Sequence, residues 1–206
     1  MHKMNMTRRA LAAAAIAVVC AATTAAAQQP GRIRGQIEKA DGAMLSLKTR
    51  DGTMLNVKLA DDARVAALVK ASLADIKNDS FIGVAGMPQP DGSIQAFSIH
   101  IFLPAQRGAV PDRHGPWDAR PGSTMTNAYV ESMVAAKDGE TFMVKYKDGE
   151  KKIVVTPATV IAAVAPGNKS ELKAGTPIII MASQKETDGS VLAKVVYIGR
   201  NITPAM

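Results

Sequence analysis

Apolar and polar residues alternate along much of this chain, and the alternating runs end at turn signals. Between Lys137 and Val155, Phe142, Val144 and Tyr146 alternate with Thr141, Met143 and Lys145. A period of two marks a half-buried strand. Asp138-Gly139 and Asp148-Gly149 bracket the run. Asp-Gly accepts the positive φ that a tight hairpin needs, because glycine has no Cβ to clash. The stretch therefore predicts the middle strand of a β-meander. Asp41-Gly42 and Asp51-Gly52 frame Met44 to Lys48 in the same way.

The pattern is written twice. Sliding Asp51-Gly52 onto Asp148-Gly149 also brings Asp41-Gly42 onto Asp138-Gly139 and Asp91-Gly92 onto Asp188-Gly189. Leu45 then meets Phe142, Leu47 meets Val144, Ala96 meets Ala193, and Ile99 meets Val196. Three turns and a set of apolar positions in register define a tandem repeat. Each copy predicts three meander strands: 33–39, 44–48 and 54–59, then 128–136, 141–146 and 151–155. A connector follows, then a hairpin of two more strands: 81–87 with 93–102, and 177–182 with 191–198. This is the element order of the five-stranded OB barrel. The expected fold is all-β, with two tandem OB-like barrels at 28–103 and 127–206 and a linker at 104–126. In copy one the connector 61–76 places Val65, Leu68, Val69 and Leu73 near helical spacing, which predicts a short helix. In copy two, Pro157, Pro166 and Gly167 exclude a full helix there.

Parity sets finer expectations. A two-residue turn at Asp148-Gly149 puts Val144 opposite Ile153 and Phe142 opposite Val155, on one buried face. The same turn at Asp51-Gly52 would put Leu47 opposite polar Asn56. A longer turn, pairing Leu47 with Val57, is therefore expected there. In the fifth strand Ile94 and Ala96 have opposite parity to Ile99 and Ile101, which predicts a β-bulge near Phe97-Ser98. Gly35 is a candidate for a bend in the first strand.

Two segments carry a family resemblance. They are Leu73-Ala-Asp-Ile76-Lys77-Asn78-Asp79 before an apolar strand, and Pro90-Asp91-Gly92-Ser93-Ile94-Gln95-Ala96-Phe97-Ser98-Ile99. They resemble the bacterial domain-of-unknown-function family numbered 5666, and the likeness covers both copies. The resemblance implies a secreted OB-like domain and carries no catalytic motif. Some members of that family bear a metal-transport permease label. The chain after residue 27 holds no apolar run long enough for a spanning helix.

The N-terminus reads as a leader. Lys3, Arg8 and Arg9 precede an apolar run from Ala10 to Val19, and the small-residue tail ends Ala25-Ala26-Ala27. Basic, apolar and small-residue regions in that order predict a cleavable secretory signal peptide over 1–27, hence a periplasmic or secreted protein. Cleavage removes Cys20, the sole cysteine. Disulfide and thiolate chemistry are then excluded. It also lowers the 25 basic residues to 22 against 18 acids, a net charge of +4. That is a solubilising surface charge and no strong signature of a polyanion partner.

Candidate chemistry is sparse. Leu103 to Thr126 contains four prolines and three glycines, which reads as an extended linker. It holds the single tryptophan, Trp117, near Arg113, His114 and Arg120. These four residues form a candidate ligand patch; alternatively, Trp117 pins the linker onto a barrel. His100 is expected to face outward between Ile99 and Ile101, and Tyr197 occupies its place in copy two. Methionines are numerous, and thioethers suit Cu(I), so His100, His114 and Met125 are a candidate metal set. The acids fall mostly in turns, where turn chemistry explains them. No metalloprotease, phosphate-loop or dinucleotide motif is present. The few aromatics fall mostly at core parity, which argues against a stacking surface for nucleic acid.

The sequence thus predicts an exported, non-enzymatic binding or scaffolding protein of the cell envelope, without a cofactor. Its partner would be an envelope protein or a small ligand, and the fifth strands and the Arg-rich linker would be its contact surfaces. A periplasmic metal-handling accessory is the alternative.

Overall fold

The alternating runs do form strands, but strands from the first half of the chain pair with strands from the second. The computed structural model describes residues 32–136 and 139–204, so the signal peptide expected at 1–27 and the turn residue Asp138 lie outside the described residues. Among the described residues there are twelve strands, three short 3-10 turns and no α-helix. In chain order the strands are β1 (Ile33–Asp41), β2 (Met44–Thr49), β3 (Met54–Lys70), β4 (Phe81–Pro88), β5 (Ile94–Ile101), β6 (Arg113–Pro116), β7 (Thr124–Ala136), β8 (Gly139–Tyr146), β9 (Gly149–Val155), β10 (Val160–Pro166), β11 (Pro177–Lys185) and β12 (Val191–Arg200).

A closed five-stranded barrel runs β1, β2, β3, β12, β11 and back to β1. Its meander comes from copy one and its closing hairpin from copy two. A second ring of pairings runs β4, β7, β8, β9, β5, and it closes where Ile94 and Gln95 meet Ile153 and Val154. Here the meander is from copy two and the hairpin from copy one. The cores obey the same exchange. One cluster joins Ile37, Leu47 and Val57 to Ile178, Val196 and Ile198. Another joins Ile82, Val84 and Ile99 to Val130, Phe142 and Ile153.

The expected boundaries, 28–103 and 127–206, therefore do not enclose separate sheets. The reason lies in β3. The expected helix at 61–76 is absent; β3, 17 residues long, runs through it as far as Lys70, and only Leu73–Asp75 form a 3-10 turn. Local spacing loses to tertiary pairing: β3 bonds to parallel β12 along one edge and to antiparallel β10 along the other. At about 3.3 Å per residue, the stretch from Leu59 to Lys70 carries the chain roughly 35 Å onward. The hairpin β4-β5 then meets β7 rather than β1. In copy two a turn at Thr156–Thr159 separates β9 from β10, and Thr159 Oγ1 ties it down by donating to the Ala96 carbonyl at 2.7 Å.

Parity held better than register. Leu45, Leu47, Val57 and Leu59 are all buried, but Leu47 faces Leu55, not Val57. The turn there is longer than two residues, with the Thr49 N–H donating to the Thr53 carbonyl. In copy two the tight turn is Lys147-Asp148, so Phe142 faces Ile153 and Val144 faces Lys151. Both registers lie two residues from expectation, which leaves every side chain on its expected face. The bulge is where parity placed it: Ala85 pairs with Ser98 and Gly86 with Ala96, so Phe97 is skipped. Gly35 marks a close approach, since a Cβ there would run into the Lys48 carbonyl.

Candidate functional site

The outer faces of the two rings meet along the tail of β3 and β10. There Leu68, Ala162, Val164, Ile179 and Tyr197 form a third apolar cluster, joined by Phe102, Leu103, Met181, Val195 and Trp117. The segment expected to be an extended linker folds back onto this junction. Pro104–Gln106 make a 3-10 turn, and β6 adds to the edge of β7. The Trp117 backbone N–H donates to the Ser123 carbonyl at 2.8 Å, which fixes the chain after β6. Trp117 does pin the segment, as one of the two sequence readings held.

Between the folded-back segment and the two rings lies a cavity of about 620 Å³, within the usual range for small-molecule sites. Phe102, Leu103, Val164, Met181, Val195 and the Trp117 ring give it apolar walls. Its charged residues are Arg32, Arg64 and Arg113, and among the described residues no Asp or Glu lines it. The Arg32 guanidinium lies 3.6 Å from the Trp117 ring centroid, a cation–π contact. Asp118 anchors this end: it accepts from Arg34 Nη2 at 2.7 Å and from the Arg32 backbone N–H at 3.2 Å. Burial pulls the Asp118 carboxyl upward, but the Arg34 hydrogen bond and the fields of Arg34 and Arg32 outweigh it and hold the group below its usual range. Burial lowers the pKa of Arg32; Asp118 opposes this, while Arg34 and Arg113 add to it by repulsion.

The neutral polar groups are largely engaged. Gln106 Nε2 donates to the Tyr197 hydroxyl at 2.9 Å, and its Oε1 accepts from the Leu103 N–H. Asn127 Nδ2 donates to the Pro111 carbonyl at 3.0 Å. By contrast, among the described residues no carboxylate pairs with Arg64 or Arg113. Arg32 Nε and Trp117 Nε1 are shielded from solvent and have no hydrogen-bond partner there.

The four residues of the expected ligand patch divide. Arg113 and Trp117 line the cavity. Arg120 instead stacks on Phe97 at the β5 bulge, 4.0 Å from its ring centroid. His114 pairs with Thr126, which lies opposite core residue Val84, so it belongs to the inner face of the second ring. Its Nδ1 lies 2.8 Å from Thr126 Oγ1 and its ring 5.9 Å from that of Tyr146. Burial, then the charge of Lys151, moves its pKa down.

The candidate metal set does not converge. Asn127 and Met125 alternate with Thr126 and face outward, as His100 does opposite Gly83, whereas His114 faces inward. Among the described residues no three His, Cys, Asp or Glu side chains form a group that could hold a metal ion. The expectation that His100 and Tyr197 are exposed is corrected. They are 1% and 7% exposed; β10 runs beside His100, and β3 beside Tyr197. Nor are the fifth strands free contact surfaces: both are flanked by strands on each side. Sequence reasoning missed Arg32, Arg64 and Tyr197 as site residues. Arg64 was placed in a helix, and Arg32 stood next to the leader.

No helix among the described residues is long and apolar enough to cross a membrane. Comparison with family models, with curated proteins and with solved structures returned no match.

Proposed function

We propose that this chain is an exported, non-enzymatic binding protein of the cell envelope, and that its ligand occupies the cavity at the junction of the two rings. In this reading it consists of two OB-type barrels, related by duplication and by kinship to the 5666 family, that have exchanged their closing hairpins. The observation that carries the proposal is the cavity: about 620 Å³, largely apolar-walled, with Arg32, Arg64 and Arg113 in its lining. Concave apolar sites with a few fixed polar groups are the common form of small-ligand sites. Export rests on the leader pattern in residues 1–27.

The non-enzymatic part rests on how the acids and histidines are used. Asp91 accepts from the Ser93 N–H and hydroxyl, and Asp188 from the Ser190 N–H, so these acids shape turns. His100 is sealed in the junction, where burial pushes its pKa down to about 3. A neutral at working pH and solvent-excluded imidazole is a poor proton carrier.

Titration of the mature chain with N-phenyl-1-naphthylamine, a neutral apolar dye, tests this. Saturable binding of one dye per chain, with quenching of Trp117 emission, is the expected result. No saturable binding would remove the cavity reading.

A further inference from the structure

We propose that the junction cavity takes an amphipathic carboxylate, a single acid head on an aliphatic or aromatic body. This rests on the reading of the cavity as the ligand site and adds the chemical class of the ligand. The walls settle one half. The side chains of Phe102, Leu103, Val164, Met181, Val195 and Trp117 give the cavity apolar walls, so the body of the ligand is apolar.

The charged groups settle the other half. Arg32, Arg64 and Arg113 line the cavity and, among the described residues, no Asp or Glu does; Arg64 and Arg113 have no acid partner among the described residues. Guanidinium presents a planar fork of donors that fits a carboxylate through two parallel hydrogen bonds. An anion beside Arg32, Arg34 and Arg113 would relieve the repulsion among them. A polyol such as a sugar fits worse, since Gln106 is engaged at both ends and Asn127 donates to Pro111.

Trp117 is the sole tryptophan, so its emission reports on the cavity wall without a label. The test titrates the mature chain with dodecanoate, with dodecanol and with acetate, and repeats the series in a chain carrying R64Q and R113Q. Both arginines are exposed, and an unchanged melting temperature checks that the double variant folds. Dodecanoate is expected to bind at least about tenfold more tightly than dodecanol, and the double variant to lose about tenfold for dodecanoate alone, as expected for charge-assisted hydrogen bonds. Acetate is expected to bind far more weakly. Equal binding of dodecanol and dodecanoate, or no loss in the double variant, would overturn the carboxylate while leaving the apolar cavity intact. Acetate binding as tightly as dodecanoate would overturn the apolar body. Failure of all three ligands and of the neutral naphthylamine dye would remove the cavity reading, and this inference with it.

Discussion

Leu68 of β3 lies directly opposite Val164 of β10, and these two residues occupy corresponding places in the two repeats. Around them the pairing is self-complementary: Ala66 meets Pro166, and Lys70 meets Ala162. The flanking strands repeat the relation, with Tyr197 beside Ala66 and His100 beside Ala162. This is the isologous geometry of a two-fold dimer, realised within one chain. His100 and Tyr197 occupy equivalent places in this arrangement, and each is buried.

The exchange predicts that neither half is self-sufficient. Residues 28–103 and 104–206, produced separately and mixed, are expected to assemble into a 1:1 complex with the melting behaviour of the whole chain. Sedimentation velocity reads this directly. Two folded monomers that ignore each other would contradict it.

Gly35 predicts a local cost. An added Cβ would meet the Lys48 carbonyl and lie 3.0 Å from Thr49 Cα, inside the β1–β2 pairing. Neither neighbour is a side chain that can swing away. Gly35→Ala is expected to destabilise the fold by about 1–3 kcal/mol, the usual range for overpacking. Urea denaturation followed by circular dichroism measures it, and an unchanged midpoint would refute the close approach.

Acid sensitivity should trace to the junction. Folded His100 stays neutral down to about pH 3, while its ordinary value is 6.5. Between those values the unfolded chain binds more protons, so stability falls as the pH falls. The slope reaches at most about 1.4 kcal/mol per pH unit. His114 is shifted the same way and adds to the loss. Carboxylates held low by their partners, such as Asp118 and Glu171, begin to destabilise nearer their ordinary values of 3.8 and 4.5. The window from pH 6.5 to about 4.5 is therefore the histidines' own. His100→Gln is expected to reduce the slope across it, leaving the share of His114, and melting curves of identical pH dependence in the two chains would count against burial of His100.

The leader predicts export. Residues 1–31 fused to a periplasm-dependent alkaline phosphatase should give active enzyme, and Lys3, Arg8 and Arg9 changed together to Glu should abolish it. Full activity in that triple variant would argue against a signal peptide.

Much of the local structure was legible because it depends on neighbours in sequence. Alternation located the strands, and the parity change across Phe97 located the bulge. Register was less legible: a slip of two residues preserves every face, so hydrophobic pattern cannot sense it. The exchange was not legible, since a hairpin carries the same pattern whichever meander it closes. That single non-local fact hid the rest. It turned the outward side of His100 into a buried one, made a strand of 61–70, and brought Arg64 to the same cavity as Arg32. Arg113 and Trp117 were found because both lie in one short segment; their partners are far away in the chain.

The pairing of each meander with the other half's hairpin creates the junction, and the junction holds the proposed site. Cross-strand proton contacts in an isotopically labelled mature chain measure that pairing most directly. Contacts from Gly35 to Ile178 and from Ala128 to Ile82 are the expected result. Contacts from Gly35 to the 81–88 strand and from Ala128 to the 177–185 strand would mean that each repeat closes on itself, and would contradict the exchange.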